Sequence, residues 1–305
     1  MPKISVQVLA FDNQRFFEPC IKYLLPFVDQ IVILYSEFPW DYNPTASLKY
    51  KNNLDIAIIN KYVNNPKINV INKHWKNEEM QRNDALNFAR ETGMDFMLVV
   101  DPDEFYFEHD LRDNIEQMVK NPSFDYYRNP WHLYWKTDEY RILFRNPDNG
   151  KISDTNVSPC FAINLKREVY FENKRLPNTR NFKILDGVCH HMSYVFSDDE
   201  MKRKIDTWGH HLDAMDLNAW YKLKWLGWKP TTRNISIINP MAWPKAQKVS
   251  LNSKLSEVFG FTIPEHVYVP ANPFFEILYD FKAFIKFLLK KIRISLSKFK
   301  VSNTH

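Results

Sequence analysis

The feature that most constrains this chain is a run of five apolar residues, 96–100, that leads directly into an acidic turn at residues 101–105. Such a continuous apolar run is typical of a strand that is covered on both faces, as in parallel sheets. Similar strand-like runs lie at residues 4–10 and 31–35, and residues 68–71 form a shorter one. The pattern predicts a largely buried sheet.

Helical segments separate these strands. Residues 15–26 have helical character, and Asn77 followed by two glutamates predicts the start of a helix that ends at Gly93. The alternation of strands and helices predicts an α/β fold with a Rossmann-like, mostly parallel central sheet flanked by helices. Ligands of such sheets bind beyond the carboxyl ends of the strands, and the acidic turn lies at that edge.

The second half of the chain is less regular. Antiparallel strands are predicted near residues 125–135 and 160–165, and Ser197 with Glu200 forms a capping box that predicts the start of another helix. The apolar positions of this helix repeat at helical spacing and predict a buried stripe. The stripe comprises Met201, Ile205, Trp208 and Leu212.

The composition excludes several ways of binding a nucleotide or nucleic acid. Only six glycines occur, and neither a GxGxxG nor a GxxxxGK[ST] loop is present. The net charge is +5, but residues 274–305 hold seven Lys/Arg and two Asp/Glu, so the rest of the chain has 34 of each sign. A groove that follows nucleic-acid phosphates requires a basic body. We therefore expect no nucleic-acid partner.

Asp101 and Asp103 are two carboxylates one residue apart at the end of a buried strand. Hard-oxygen groups of this kind suit Mg²⁺ or Mn²⁺ together with substrate phosphates, and Pro102 stiffens the turn between them. A cation on a diphosphate neutralises the charge that develops on a leaving group. The alternative is an ordinary solvated acidic turn, but the preceding buried strand favours a metal site.

Residues 96–105, FMLVVDPDEF, resemble the metal-binding segment of GT-A-fold glycosyltransferases, in particular family-2-like enzymes with a DxDEF pattern. Residues 79–86, EMQRNDAL, resemble the helix that precedes the DxD strand in that group. The exit of the first strand at residues 11–13 fits its nucleotide-base pocket. The resemblance covers roughly the first two hundred residues. It implies a GT-A fold, a nucleotide-sugar donor, and Mn²⁺ or Mg²⁺.

The same resemblance implies donor-side roles for six residues. It makes Asp103 the firmer metal ligand and places Asp101 near both the metal and the donor ribose. Four further residues follow from the matched positions: Arg82 and Asn83 near the diphosphate or the sugar, and Phe11 and Asp12 in the base pocket. An ordinary surface cation is the alternative for Arg82.

His190 and His191 follow in the second half. Neighbouring residues on a strand face opposite ways, so only one of the two can point at a metal. GT-A enzymes often complete the metal site with a histidine well after the DxD motif. The segment His191-Met192-Ser193-Tyr194 resembles a His-x-x-aromatic pattern of that group, so the resemblance implies His191 as the ligand, and His190 is the second choice. The alternative is a pair of structural histidines bound to backbone carbonyls.

Aromatic residues after the acidic turn predict an acceptor or sugar pocket, because an aromatic face stacks on the apolar side of a sugar ring. The candidates are Trp131, His132 and Trp135, with core packing as the alternative. An inverting reaction needs a carboxylate that deprotonates the acceptor hydroxyl. The base is unknown, and four carboxylates are candidates without a ranking: Asp138, Glu139, Asp154 and Asp186.

Residues 271–305 are predicted to form a basic amphipathic helix after a catalytic domain at residues 1–270. Its Phe, Leu and Ile residues recur at helical spacing with lysines on the other side. Such a helix suits the surface of an anionic membrane, and packing on protein is the alternative. Three cysteines without paired spacing and the absence of a signal peptide predict a cytoplasmic protein, or one associated with the cytoplasmic membrane face.

These observations predict a metal-dependent glycosyltransferase that moves a sugar from a nucleotide sugar to a glycan or other hydroxyl acceptor, with inversion. The alternative is a catalytically silent carbohydrate-binding protein of the same fold. A nucleotidyltransferase is a third option, but it normally needs a glycine-rich, basic amino-terminal loop that this sequence lacks.

Overall fold

The computed structural model describes residues 2–43, 45–157, 159–209, 216–251 and 253–302. Strands and helices alternate regularly through the first hundred residues, as predicted. In chain order these elements are β1 (Ile4–Ala10), α1 (Gln14–Leu24), β2 (Gln30–Tyr35), α2 (Ala46–Lys49), α3 (Ile56–Asn60), β3 (Ile68–Asn72), α4 (Glu78–Glu91) and β4 (Phe96–Val99). The short helix α2 lies between β2 and α3.

Shorter strands dominate the second half. In chain order the elements are β5 (Glu104–Phe105), α5 (Glu108–Lys120), β6 (Tyr126–Arg128), β7 (Pro130–Trp135), β8 (Thr137–Ile142), β9 (Phe144–Arg145), β10 (Ile152–Ser153), β11 (Asn156–Val157), β12 (Ala162–Asn164), β13 (Phe171–Asn173), β14 (Leu176–Pro177), β15 (Phe182–Ile184), β16 (Cys189–Tyr194), α6 (Asp198–Thr207), α7 (Leu217–Trp220), β17 (Ala246–Lys248), α8 (Leu255–Phe259) and α9 (Pro273–Ser302). A π-helical turn at Tyr221–Leu226 and a 3₁₀ turn at Pro240–Ala242 precede β17.

The central sheet has seven strands in the order β15-β6-β12-β4-β1-β2-β3. β4, β1, β2 and β3 are parallel neighbours, β12 is antiparallel to both β4 and β6, and β15 is parallel to β6. All the strands except β12 therefore point the same way. The prediction of a mostly parallel α/β sheet flanked by helices is confirmed.

Alternate residues of the central strands bury opposite faces of this sheet. Val8 and Ile33 pack with α1 and α5 on one face. Leu34 and Val99 pack with α4 on the other face. Both faces are therefore covered, which explains why these strands are apolar throughout.

Sequence signals set the ends of two helices. The Asn77 side chain caps α4 by accepting a hydrogen bond from the Met80 amide, and Gly93 follows the helix with a positive φ of 73°. Ser197 and Glu200 form the predicted capping box of α6. Of the predicted stripe, Met201 and Ile205 are buried, but α6 ends at Thr207, so Trp208 follows the helix. Leu212 lies outside the described residues.

A second sheet, in the order β17-β8-β7-β16-β5, lies beside the central one. The two-residue strand β5 leaves the acidic turn and pairs with β16 in antiparallel register, His191 opposite Glu104. The Met192 amide also donates a hydrogen bond of 2.7 Å to the carbonyl of Asp103. These bonds bring the acidic turn and the histidine strand together although they are almost ninety residues apart in sequence.

Arg175, on the turn between β13 and β14, connects the end of β4 to β5. Its guanidinium donates to the carboxylate of Glu104, to Asp101 Oδ2 at 3.3 Å, and to the carbonyls of Val99 and Cys160. Arg175 and Glu104 are both buried. Burial would lower the pKa of Arg175, but Glu104 and Asp101 outweigh that effect and raise it well above its usual value.

Helix α9 docks on the second sheet's side of the fold through one face. Lys224, which is fully buried, pairs with Glu276 at 3.0 Å and with Asp280 at 2.8 Å. Within the described part of the chain, no helix combines the length and the apolar character that crossing a membrane requires.

We predict that Arg175→Met destabilises the protein by about 3–5 kcal/mol, because it leaves the buried Glu104 carboxylate without its counter-ion. Equilibrium unfolding in urea measures the change. Arg112→Met is the matched control, since Arg112 pairs with Glu108 on the exposed face of α5 and should contribute less than about 1 kcal/mol. Equal losses in the two variants would contradict the proposed role of Arg175.

We also predict an acid-sensitive core around His190. Burial, assisted by nearby His132 and Arg141, lowers the pKa of His190 to about 3. An unfolded histidine titrates near 6.5, so the unfolded state binds more protons below that pH. The contribution of His190 to the stability of the folded state is therefore fully present above pH 6.5 and is lost as the pH falls toward 3.

The loss amounts to about 1.4 kcal/mol per pH unit from this group. The free energy of unfolding of the wild type, measured in urea, should therefore fall between pH 6.5 and pH 5. In His190→Gln this fall should be smaller by about 2 kcal/mol. His74→Gln, at an exposed position, is the control and should keep the wild-type drop. An unchanged drop in His190→Gln would show that His190 is not the group responsible.

Candidate active site

A cleft of about 590 Å³ opens at the carboxyl ends of β1, β2 and β4. Its wall combines the loop after β1, the loop after β2, the first turns of α4, the acidic turn, the β13–β14 hairpin, β16 and α6. The charged and polar residues of its lining are Asp12, Asn13, Ser36, Asn53, Glu78, Gln81, Arg82, Asp101, Asp103, Asn173, Lys174, Arg175, His191, Ser193, Glu200, Arg203, Lys204 and Thr207. This is the edge of the sheet where the sequence predicts a ligand site.

Asp101 lies in this cleft between two arginines. Arg82 Nη2 lies 3.0 Å from each Asp101 carboxylate oxygen, and Arg175 Nη1 lies 3.3 Å from Oδ2. Burial alone would raise the pKa of Asp101, but the two arginines outweigh it and lower the pKa below its usual value. Asp101 is therefore an anion with its charge already compensated by protein groups.

Arg82 is almost fully buried although it lines the cleft. Its Nε donates to Glu78 at 2.8 Å, one helical turn earlier on α4. Its Nη1 is buried and has no hydrogen-bond partner among the described residues. The surface-cation interpretation of Arg82 is thus excluded, since the side chain points into the protein toward Asp101.

Asp103 lies against His191 and Lys204. His191 Nε2 is 3.4 Å from Oδ1, and Lys204 Nζ is 3.5 Å from Oδ2. The Lys204 ammonium also donates to the carbonyl and the hydroxyl of Ser193, at 2.9 Å each. Burial would raise the pKa of Asp103, but His191 and Lys204 outweigh it and hold the pKa well below its usual value.

The chemistry of Asp103 and His191 fits a small divalent cation. Adjacent ligands of Mg²⁺ or Mn²⁺ are about 3 Å apart, because each lies about 2.1 Å from the ion. The 3.4 Å between Asp103 Oδ1 and His191 Nε2 is close to that separation. Asp101 could join them only by giving up an oxygen that now faces Arg82.

Among the described residues, no three or more His, Cys, Asp or Glu side chains are grouped so as to hold a metal ion. Mg²⁺ is commonly bound by one or two carboxylates, with substrate phosphates and water completing its shell. The protein groups present fit that mode of binding and not a closed protein cage.

The two neighbouring histidines point to different environments. His191 lines the cleft, and its ring stacks on Trp131 with centroids 4.7 Å apart. His190 is buried on the other side of β16, where its Nδ1 lies 2.9 Å from the hydroxyl of Tyr134. The alternation of a strand therefore separates them as expected, with His191 on the side of the cleft.

Phe11 and Asp12 line the cleft from the turn after β1. Asp12 has a positive φ of 56°, and its carboxylate accepts hydrogen bonds from the Asn53 amide and from Arg203 of α6. Burial raises the pKa of Asp12, and Arg203 opposes the rise. Trp40 lines the same cleft from the loop after β2.

Three residues that the sequence predicts to contact a ligand do not line the cleft. Asn83 instead donates to and accepts from the backbone of Phe171, which fastens β13 to α4. His132 lies beside Thr155, and Trp135 packs in the aromatic core of the second sheet. Trp131 is the predicted aromatic residue that does line the cleft.

None of the four candidate bases lines the cleft. Asp138 is buried and accepts hydrogen bonds from the amide and hydroxyl of Ser256. Glu139 pairs with two lysines at the surface, Asp154 pairs with Arg141, and Asp186 is exposed. The carboxylates that line the cleft are instead Asp12, Glu78, Asp101, Asp103 and Glu200.

Several cleft residues are not evident from the sequence. Arg175 carries no local motif, and its position follows only from the way β13–β14 folds over the acidic turn. Arg203 and Lys204 have a weak signal, because they belong to a charged helix that follows the histidines. Their neighbour Lys202 instead pairs with Asp206 at the surface of α6.

No protein-family model matches the chain, and no curated protein matches it. Solved structures show weak similarity. Mannose-1-phosphate geranyltransferase from Thermus thermophilus is 11% identical over 54% of this chain and 58% of its own, with a TM-score of 0.35. The chain therefore spans less than two thirds of that protein.

A fragment of S. aureus TarS in complex with UDP is 13% identical over 74% of this chain and 71% of its own, with a TM-score of 0.37. A CMP:2-keto-3-deoxy-manno-octonic acid synthetase in complex with CTP is 10% identical over 54% and 75%, with a TM-score of 0.35. At these similarities the site must be interpreted from its own geometry.

Proposed function

We propose that this chain is a metal-dependent glycosyltransferase that uses a nucleotide-sugar donor and a glycan or other hydroxyl acceptor. One observation carries the proposal. Asp103 and His191, from two different parts of the chain, meet within 3.4 Å in a cleft at the carboxyl ends of parallel strands, beside the cations Arg82 and Lys204. That combination suits a diphosphate with a divalent cation.

The cations of the cleft would bind the diphosphate. Arg82 Nη1 is buried without a hydrogen-bond partner among the described residues, so a shift of the side chain toward the cleft would let it donate to a phosphate oxygen. Lys204 can turn from Asp103 toward the same group, since the contact of its ammonium with that carboxylate is long, at 3.5 Å. Charge-assisted hydrogen bonds of this kind are strong in a desolvated cleft.

Asp103 and His191, joined by Asp101 if Arg82 yields an oxygen, would hold Mn²⁺ or Mg²⁺ against the diphosphate. When bound, the cation supplies Lewis-acid neutralisation of the leaving diphosphate. Arg82 and Arg175 both bond to the Asp101 carboxylate. They would hold the acidic turn in place and orient this carboxylate in the cleft.

In the proposed transfer, the bond between the anomeric carbon and the phosphate oxygen breaks and its electron pair leaves with the nucleoside diphosphate. The acceptor hydroxyl oxygen forms the new bond to that carbon, with inversion, and loses its proton to a base. As placed in the fold, none of the predicted base candidates reaches the cleft. We propose that one of the carboxylates that line the cleft serves as the base, after the donor has taken over the basic side chain that pairs with it.

The nucleoside end of the donor would lie near Phe11, Asp12 and Trp40, which come from the loops after β1 and β2. Trp131 would contact the sugar or the acceptor. The silent carbohydrate-binding alternative is not favoured, because compensated charges surround the acidic turn in the cleft, and one face of Trp131 is already covered by His191.

We predict that purified protein with Mn²⁺ releases nucleoside diphosphate from one member of a nucleotide-sugar panel, and that EDTA abolishes the release. Asp103→Asn and His191→Ala should each lower the rate at least about 10- to 100-fold, because each removes a proposed ligand of the cation and even the loss of a ligand's hydrogen-bond partner has an effect of that size. Asp113→Asn, at an exposed carboxylate on α5, is the matched control and should keep the wild-type rate. EDTA-resistant release that neither variant slows would contradict the assignment.

We further predict that the true donor raises the melting temperature only together with Mn²⁺. At a donor concentration of about 100 times Kd, linkage adds about 2.7 kcal/mol, which corresponds to roughly 4 °C for a chain of this size. Differential scanning fluorimetry with a panel of donors measures the shift. An equal shift for Asp103→Asn would show that the donor binds elsewhere.

A further inference from the structure

Helix α9 has two opposite faces, one docked on the domain and one exposed. The face toward the domain carries Glu276, Tyr279, Asp280 and Ala283, of which Tyr279 and Ala283 are buried and the two acids pair with Lys224. These positions recur at three- and four-residue spacing and therefore form one stripe. The docked stripe fixes which residues of α9 point outward.

The outward face of α9 is strongly apolar and exposed. Phe274 is 67% exposed, Ile277 70% and Phe281 59%. Phe274, Phe281, Ile285 and Leu288 follow one another at intervals that place them on the side opposite Tyr279 and Ala283. Soluble surfaces rarely expose so many large apolar side chains together, and such patches mark interaction sites. The exposed set also includes Phe275, Leu278, Phe284 and Leu289.

The charge on the exposed side of α9 has a single sign. Both acids of the helix, Glu276 and Asp280, face Lys224, whereas Lys282 and Lys286 are exposed beside the apolar residues. Residues 281–305 contain no Asp or Glu and seven Lys or Arg. The arrangement pairs an apolar face with positive charge.

We propose that the outward face of α9, residues 274–289, binds the surface of an anionic lipid bilayer. An apolar helix face lies in the boundary between headgroups and acyl chains, while the lysines beside it contact anionic headgroups. Charge complementarity favours this partner over a second copy of the chain, because two such faces would bring like charges together. The inference does not depend on the proposed transfer reaction, since binding to vesicles needs neither donor nor metal.

Co-sedimentation of the full chain with vesicles tests the inference. Vesicles of phosphatidylcholine with phosphatidylglycerol should bind the protein, and vesicles of phosphatidylcholine alone should bind it at least about tenfold more weakly. Raising the salt concentration should weaken the binding to the anionic vesicles, because it screens the lysines. Equal binding to the two kinds of vesicle, or no binding to either, would overturn the proposal.

Two pairs of variants separate the apolar and the charged contributions. Phe281→Ser with Ile285→Ser should reduce binding by about tenfold or more, because both side chains lie on the outward face. Lys282→Gln with Lys286→Gln should reduce it by roughly fivefold for each charge removed. All four positions are exposed, so the fold should survive, which far-UV circular dichroism checks.

Leu48→Ser and Lys151→Gln are matched controls, since both residues are exposed on other parts of the surface, and both variants should bind like the wild type. Analytical ultracentrifugation tests whether a second copy of the chain covers this face instead. A dimer that Phe281→Ser dissociates, combined with absence of vesicle binding, would assign the face to a second copy and overturn the membrane proposal.

Discussion

The buried guanidinium of Arg175 is the contact on which the rest of the site depends. It bonds to the carbonyl of Val99 at the end of β4, to the carboxylate of Glu104 in β5 and to Asp101 in the turn between them. A buried charge is tolerated only when opposite charge and hydrogen bonds satisfy it. This requirement ties a hairpin from the second half of the chain to the acidic turn of the first half.

The junction of the two sheets follows from the same turn. β4 belongs to the central sheet and β5 to the second sheet, so the chain changes sheets within the acidic turn. The pairing of β5 with β16 then places His191 beside Asp103. A site built on strands and their ends is held more rigidly than one built on long loops.

The cleft illustrates how compensated charge can prepare a site for a ligand. Asp101, Asp103 and Asp12 each face a basic side chain of the protein. A diphosphate with a divalent cation brings both signs of charge, so it can exchange partners with these pairs without leaving an isolated buried charge. Compensation also operates at α9, where Lys224 pairs with both acids, so the exposed side chains described at residues 274–289 are apolar or basic.

The sequence by itself determined the α/β alternation, the buried strand before the acidic turn, the caps of α4 and α6, and the amphipathic character of α9. These are local signals, because periodicity and capping depend on residues within a few positions of one another. The same reasoning indicated that only one of His190 and His191 could face a site with Asp103.

Tertiary structure alone decided which charged groups surround that site. Arg175 and Arg203 reach the cleft from distant elements, whereas Asn83, His132 and Trp135 serve the packing of their own surroundings. No local pattern encodes such neighbours, since they depend on strand order and on the crossing between sheets. The physical reason is that a buried charge is stable only beside an opposite charge, and the residue that supplies this charge can be distant in the sequence.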